Sequence, residues 1–68
     1  MHEDKQEILD LLLPALQATR NLNDVTGLQY DGLTETVAVT YKSGYTRKIN
    51  VAMDSGAAMI RDVMKHIE

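Results

Sequence analysis

The residues with the most obvious capacity for chemistry are Asp54-Ser55-Gly56 and the two histidines, His2 and His66. A serine nucleophile needs a base within hydrogen-bond reach of its hydroxyl. Ser55 and His66 stand eleven positions apart on what reads as one helix, a separation of ~16 Å at ~1.5 Å per residue. A triad within one chain fails on that distance. Asp54 and Ser55 therefore read as capping residues, Asp54 the first choice of N-cap and Ser55 the alternative. A phosphate cradle at the same helix start is opposed by the Asp54 carboxylate. His2, beside Glu3 and Asp4 and far from His66, has no metal spacing such as two histidines at i and i+4. The expectation is a chain that is not an enzyme, with no catalytic residue, no cofactor and no metal site.

Sixty-eight residues make a single domain near the lower limit of independent folding. Cysteine is absent, so there is no disulfide, thiolate metal site or thiol nucleophile. A core this small must pack efficiently or gain burial by association. No apolar run approaches the ~18 residues of a membrane span, and the polar, acidic start is unlike a secretory signal. These features lead us to expect a soluble cytoplasmic protein. The net charge of −3 runs against a nucleic-acid binder, which needs a basic footprint. The charge is uneven, with Glu3, Asp4, Glu7 and Asp10 at the front and Lys42, Arg47 and Lys48 together near the middle.

The elements that position these groups follow from periodicity. Residues 35–53 alternate apolar and polar, break at Lys42-Ser43-Gly44 and resume, the pattern of a β-hairpin with one buried face. A two-residue turn at Ser43-Gly44 would set Val39 opposite Lys48. A three-residue turn sets Val39 opposite Arg47 and Val37 opposite Ile49, which keeps the core on one face and calls for Gly44 at positive φ. A shorter strand over about 27–31 precedes them, with Leu28 and Tyr30 on one face. These share the face of Val37 and Val39 only if the connection holds an even number of residues. Either a two-residue loop at Gly32-Leu33 or a four-residue loop satisfies that, pairing Tyr30 with Glu35 and Leu28 with Val37.

The strands, about 27–31, 35–42 and 45–53, form an antiparallel meander. Its inner face carries Leu28, Tyr30, Val37, Val39, Tyr41, Ile49, Val51 and Met53. Its outer face is Thr- and Ala-rich, with Thr36, Ala38 and Thr40 on the central strand. Alternation points Arg47 inward, where it is expected to snorkel from the edge strand to a helix carboxylate. The three tyrosines face the helices in this register, as core rather than as a stacking platform for bases.

A first helix over about 3–20 carries apolar residues through an arc of roughly 200° at 100° per residue, wider than one contact needs. Pro14 falls on its polar side. The leucine stripe continues in phase through the proline, which favours one kinked helix over a helix that begins there. A last helix over about 55–67 presents Gly56, Ile60, Val63, Met64 and Ile67. The fold class is α+β: helix, three-stranded antiparallel meander, helix, both helices on one face of the sheet, in one domain spanning 1–68.

That order of elements resembles the double-stranded RNA-binding domain. The family binds phosphates with a lysine-rich start to its second helix, whereas the corresponding segment here, Asp54-Ser-Gly-Ala-Ala-Met-Ile-Arg61, has no lysine and opens with a carboxylate. The likeness is one of topology, and topology alone carries no function. Leu13-Pro-Ala-Leu-Gln-Ala-Thr-Arg-Asn-Leu22, Ser43-Gly44-Tyr45 and the run from Ile49 through Asp54-Ser-Gly to Val63 resemble small proteins of Gram-positive bacteria and their phages, a group without an assigned activity. That resemblance implies an accessory or mobile-element setting.

The expectation for function is a small non-catalytic module acting through protein contacts as a homodimer. Thr36, Ala38, Thr40, Lys42, Arg47, Lys48, Leu9 and Leu13 are its candidate interaction residues. The alternatives are a nucleic-acid-associated protein using Lys42, Arg47 and Lys48, and an acidic inhibitor that fills a partner's basic groove with Glu3, Asp4, Glu7 and Asp10.

Overall fold

Asp4 opens the first helix by accepting the Glu7 amide on Oδ1 at 3.1 Å, which satisfies one of the donors that a helix start leaves open. The computed structural model describes residues 4–67. They form α1 (Lys5–Gln17), β1 (Val25–Asp31), β2 (Thr36–Tyr41), β3 (Thr46–Asn50) and α2 (Gly56–Ile67). The strands make one antiparallel meander in the order β1-β2-β3, as the alternation predicts. α1 packs on β1, and α2 on β3 and α1.

α1 runs unbroken through Pro14, which is exposed. The in-phase leucines thus belong to one helix, ended near Ala18, whose N–H bonds to Pro14 O at 3.0 Å. Leu9 and Leu16 are buried, and Ile8, Leu12 and Leu13 are half-buried against the core. Leu11, at the margin of the wide apolar arc, is 72 % exposed. Leu9 is fully buried, which removes it from the interaction residues expected from sequence.

The two hairpin turns differ. β2 and β3 pair with Val37 opposite Ile49 and Val39 opposite Arg47, joined by three residues, with Gly44 at φ 90°. This is the turn that parity selects. β1 and β2 pair with Tyr30 opposite Val37 and Leu28 opposite Val39. The shared face is as expected, but the pairing is displaced by two residues from the expected Tyr30–Glu35 register. The loop is residues 32–35, closed by Glu35 at φ 53°, and Leu33 N–H bonds to Asp31 Oδ1 at 2.9 Å.

β1 also starts earlier than its alternation suggests. The register shifts between Val25 and Gly27, so Val25 and Leu28 both point inward although three positions separate them. Such a bulge breaks the two-residue period. β1 lies at a sheet edge, and α1 covers it with glutamines. Gln6 donates to Leu28 O at 3.1 Å and accepts the Tyr30 N–H at 2.7 Å, so its amide stands in for a fourth strand. Gln17 donates to Val25 O at 3.2 Å.

The inner sheet face holds Val37 and Val39 with no exposure, Leu28, Ile49 and Val51 buried, and Tyr30 and Tyr41 half-buried. α2 contributes Gly56, Met59, Val63 and Ile67. Met59 replaces Ile60 and Met64 at the centre of the stripe, and those two are half-buried. Three expectations fail around this core. Met53 is 96 % exposed, because β3 ends at Asn50 and a turn closed by Asp54 N–H to Val51 O puts Met53 at φ 64°. Tyr45 is 62 % exposed and stacks on Tyr41 with ring centroids 5.9 Å apart. Arg47 does turn toward the helices, but Nη1 bonds to the His66 backbone carbonyl at 2.9 Å rather than to a carboxylate. A cation there also suits the negative end of α2.

Two stability predictions follow from these contacts. Gln6→Ala leaves a carbonyl and an N–H of β1 without their partner and is expected to lower the unfolding free energy by about 1–2 kcal/mol; an unchanged urea midpoint would refute the strand-mimic role. Met53→Gly relieves a left-handed backbone without removing core contacts and is expected to raise stability by about 1 kcal/mol. An unchanged or lowered midpoint for this variant would contradict the strained turn.

Candidate interaction surfaces and an acid pair

With both helices on one side, the other side of the sheet is built from three cross-strand rows. They are Gly27–Thr40–Thr46, Gln29–Ala38–Lys48 and Asp31–Thr36–Asn50. Thr36, Ala38 and Thr40 are half-buried, and Gln29, Asp31, Thr46, Lys48 and Asn50 are exposed. Thr26 Oγ1 donates to Thr40 O at 3.2 Å, and the Thr34 and Thr36 hydroxyls are 2.8 Å apart. The face is low, with alanine at its centre. The Leu33 amide holds the Asp31 carboxyl below its ordinary range; burial opposes this, while Thr34 and the charge of Lys48 reinforce it.

The three cations near the middle of the sequence do not form one patch. Lys48 lies on the outer face and Arg47 turns to the helix side. Lys42 sits in the β2–β3 turn, its amide bonded to Asp24 O at 2.8 Å. Alternation alone separates Arg47 from Lys48. Of the acidic group, Asp4 caps α1, Asp10 accepts from Gln6 at 2.8 Å, and Glu3 lies outside the described residues. Leu13 is half-buried on α1.

Ser55, rather than Asp54, caps α2: its Oγ accepts the Ala58 amide at 3.2 Å and its carbonyl the Met59 amide at 2.8 Å. The His66 ring nitrogen Nδ1 lies 2.8 Å from Asp62 O on its own helix. Both groups are thus engaged locally at opposite ends of α2. His2 lies outside the described residues, which contain no group of three metal-ligating side chains. No helix among them is long and apolar enough to cross a membrane.

Released from capping, Asp54 meets a second acid. Its Oδ2 is buried with no hydrogen-bond donor, and Asp62 stands within hydrogen-bonding range. A hydrogen bond between two carboxyl groups requires a proton, so Asp62 raises the Asp54 pKa above 3.8, first through that bond, then with burial and charge repulsion; Lys5 and Arg61 oppose the shift. Neither spacing nor composition signals this pair, because it depends on how the turn before α2 folds back.

A scan against protein-family models finds no match, and searches of curated proteins and of solved structures find none.

The acid pair predicts a pH dependence of defined sign. The folded chain holds the Asp54 proton more tightly than the unfolded one. Its stabilisation is therefore complete below the ordinary value of 3.8 and is lost as pH rises through the raised folded value. Asp54→Asn offers an amide donor to Asp62 at every pH. The stability of this variant relative to the parent should grow as pH rises above 3.8 and level off once the raised folded value is passed, measured by urea unfolding over a pH series. A difference that does not change with pH would remove the shared proton.

Proposed function

We propose that this chain is a small non-catalytic interaction module that self-associates through the outer face of its sheet. The observation that carries this reading is the uncovered three-row face centred on Ala38, opposite a complete core. Its charges are self-complementary. A two-fold axis along β2 lays β1 of one copy over β3 of the other, which brings each Asp31 to the Lys48 and Asn50 corner of its mate.

The scale of the contact sets its strength. Three strands at about 4.8 Å spacing and six residues at about 3.3 Å give a footprint of roughly 300 Å² per copy. That is under half of the ~800 Å² per partner in a standard stable interface, so the association belongs to the weak, transient class. The split of Arg47 from Lys48 supports a protein partner over a nucleic acid, which favours contiguous cations. The resemblance to small proteins of Gram-positive bacteria and their phages supports an accessory role in a mobile-element setting, within the cytoplasm.

Ala38→Arg places a long cation at the centre of the face without touching the core. Sedimentation velocity in about 1 M salt, where charge contacts are screened beyond ~3 Å, should show concentration-dependent dimerisation of the parent chain and a monomeric variant. A parent chain that stays monomeric, or a variant that still dimerises, would reject this face.

A further inference from the structure

The two ends of the fold differ in shape and in charge. At one end lie the β1–β2 loop and the turn after β3, joined by the Val51 N–H to Glu35 O bond of 2.9 Å. Each projects a large apolar side chain into solvent, Leu33 at 98 % and Met53 at 96 % exposure. Each turn also holds a residue other than glycine at positive φ, Glu35 and Met53, whereas the turn at the far end uses Gly44. Glycine would relieve both positions. Met53 is itself both exposed and strained, and Glu35 closes the loop that carries Leu33; strained turns and exposed apolar groups are features of contact sites.

At the other end, the α1–β1 connection and the last turn of α2 enclose an open cleft of about 370 Å³, lined by Thr19, Asn21, Leu22 and Ile67. Leu22 and Ile67 are nearly buried and form an apolar floor. A cavity of about 150 Å³ accommodates a benzene ring, so this one, at more than twice that volume, has room for a leucine and a methionine side chain. The knob and the cleft sit at opposite ends of the strands and cannot meet within one chain.

Charge follows the same division. Asp4, Asp31 and Glu35 surround the knob end, with Lys5 among them beside Tyr30, while Arg20, Lys42 and Lys65 lie at the cleft end, with Asp24 among them beside Lys42. We propose that Leu33 and Met53 of one copy dock into the Leu22–Ile67 cleft of the next, acidic end against basic end, so that copies join head to tail. Such a contact is heterologous and leaves a free knob and a free cleft on every assembly, which therefore grows beyond a dimer. It is separate from the sheet-face contact and stands or falls without it.

The test uses the full chain carrying Ala38→Arg, which disables the sheet face, in low salt. Sedimentation velocity should show oligomers that grow with concentration, with an association constant falling at least about ten-fold as salt rises from about 20 to 500 mM. Leu33→Asp with Met53→Asp disables the knob, and Arg20→Glu with Asn21→Glu disables the cleft; each pair alone should give monomers with unchanged circular dichroism. Mixed, the two variants retain one working knob and one working cleft, so they should form a one-to-one dimer and nothing larger. The proposal is overturned if the Ala38→Arg chain stays monomeric at ~1 mM, if either variant pair still assembles alone, or if the mixture stays monomeric or exceeds a dimer. Loss of assembly in 1 M salt alone bears on the sheet face and leaves these low-salt outcomes intact.

Discussion

Val37 and Val39 have no exposure, and the residue between them faces the opposite side of the sheet. β2 therefore admits no slip of one residue. Such a slip would expose both valines, at about 1.5–3 kcal/mol each, and drive Thr36, Ala38 and Thr40 into the core. Every other placement in the sheet follows from this parity. Leu28 and Tyr30 align with Val39 and Val37 across one pairing, and Ile49 aligns with Val37 across the other. The three-residue turn at Gly44 is the one that serves both valines. The same constraint produces the outer face, because whatever alternates with a buried valine is left for solvent or a partner.

The edge of the sheet is governed by a second device. A free edge strand presents unpaired amides and carbonyls to any passing chain. Gln6 closes that opportunity on β1 by using both ends of its amide on Leu28 and Tyr30, and Gln17 adds a bond to Val25. α1 thus packs through its leucines and seals through its glutamines. Addition of a strand to β1 is thereby hindered where these bonds lie.

The parts of the fold legible in the sequence are those that obey a single period. The leucines of α1 stay in phase through Pro14, and the helix is continuous there. The alternation of 35–51 fixes the turn at Gly44 and the sorting of valine from threonine. Legibility ends where a residue leaves its period. The bulge near Thr26 lets Val25 and Leu28 share a face, so β1 starts before alternation admits it. Glu35 and Met53 take left-handed backbone that their residue types do not announce, so the end of β3 and the β1–β2 register depart from what alternation predicts. The candidate interaction residues divide in the same way: Thr36, Ala38, Thr40 and Lys48 share the outer face, whereas Leu9 is buried and Arg47 faces away. The Asp54–Asp62 pair had no sequence signal, since Asp54 fits an N-cap equally well until Ser55 occupies that role.

A meander of three strands between two helices makes both helices point the same way. α1 rises, the strands run down, up and down, and α2 rises again, so both positive helix ends lie together at the β1–β2 loop. Part of the charge division answers that field. Asp4 and Glu7 sit at the start of α1, Lys65 lies in the last turn of α2, and Arg47 binds the α2 terminus, each arrangement favoured by about 0.3–1 kcal/mol. The dipoles do not account for Glu35 or Lys42, which sit on hairpin turns, since the influence of a helix end fades within its terminal turn. Nor do they account for two large apolar side chains in water at the acidic end and an open apolar cleft at the basic one. Charge and shape divide along the same direction, and stability alone supplies a reason for only part of the charge.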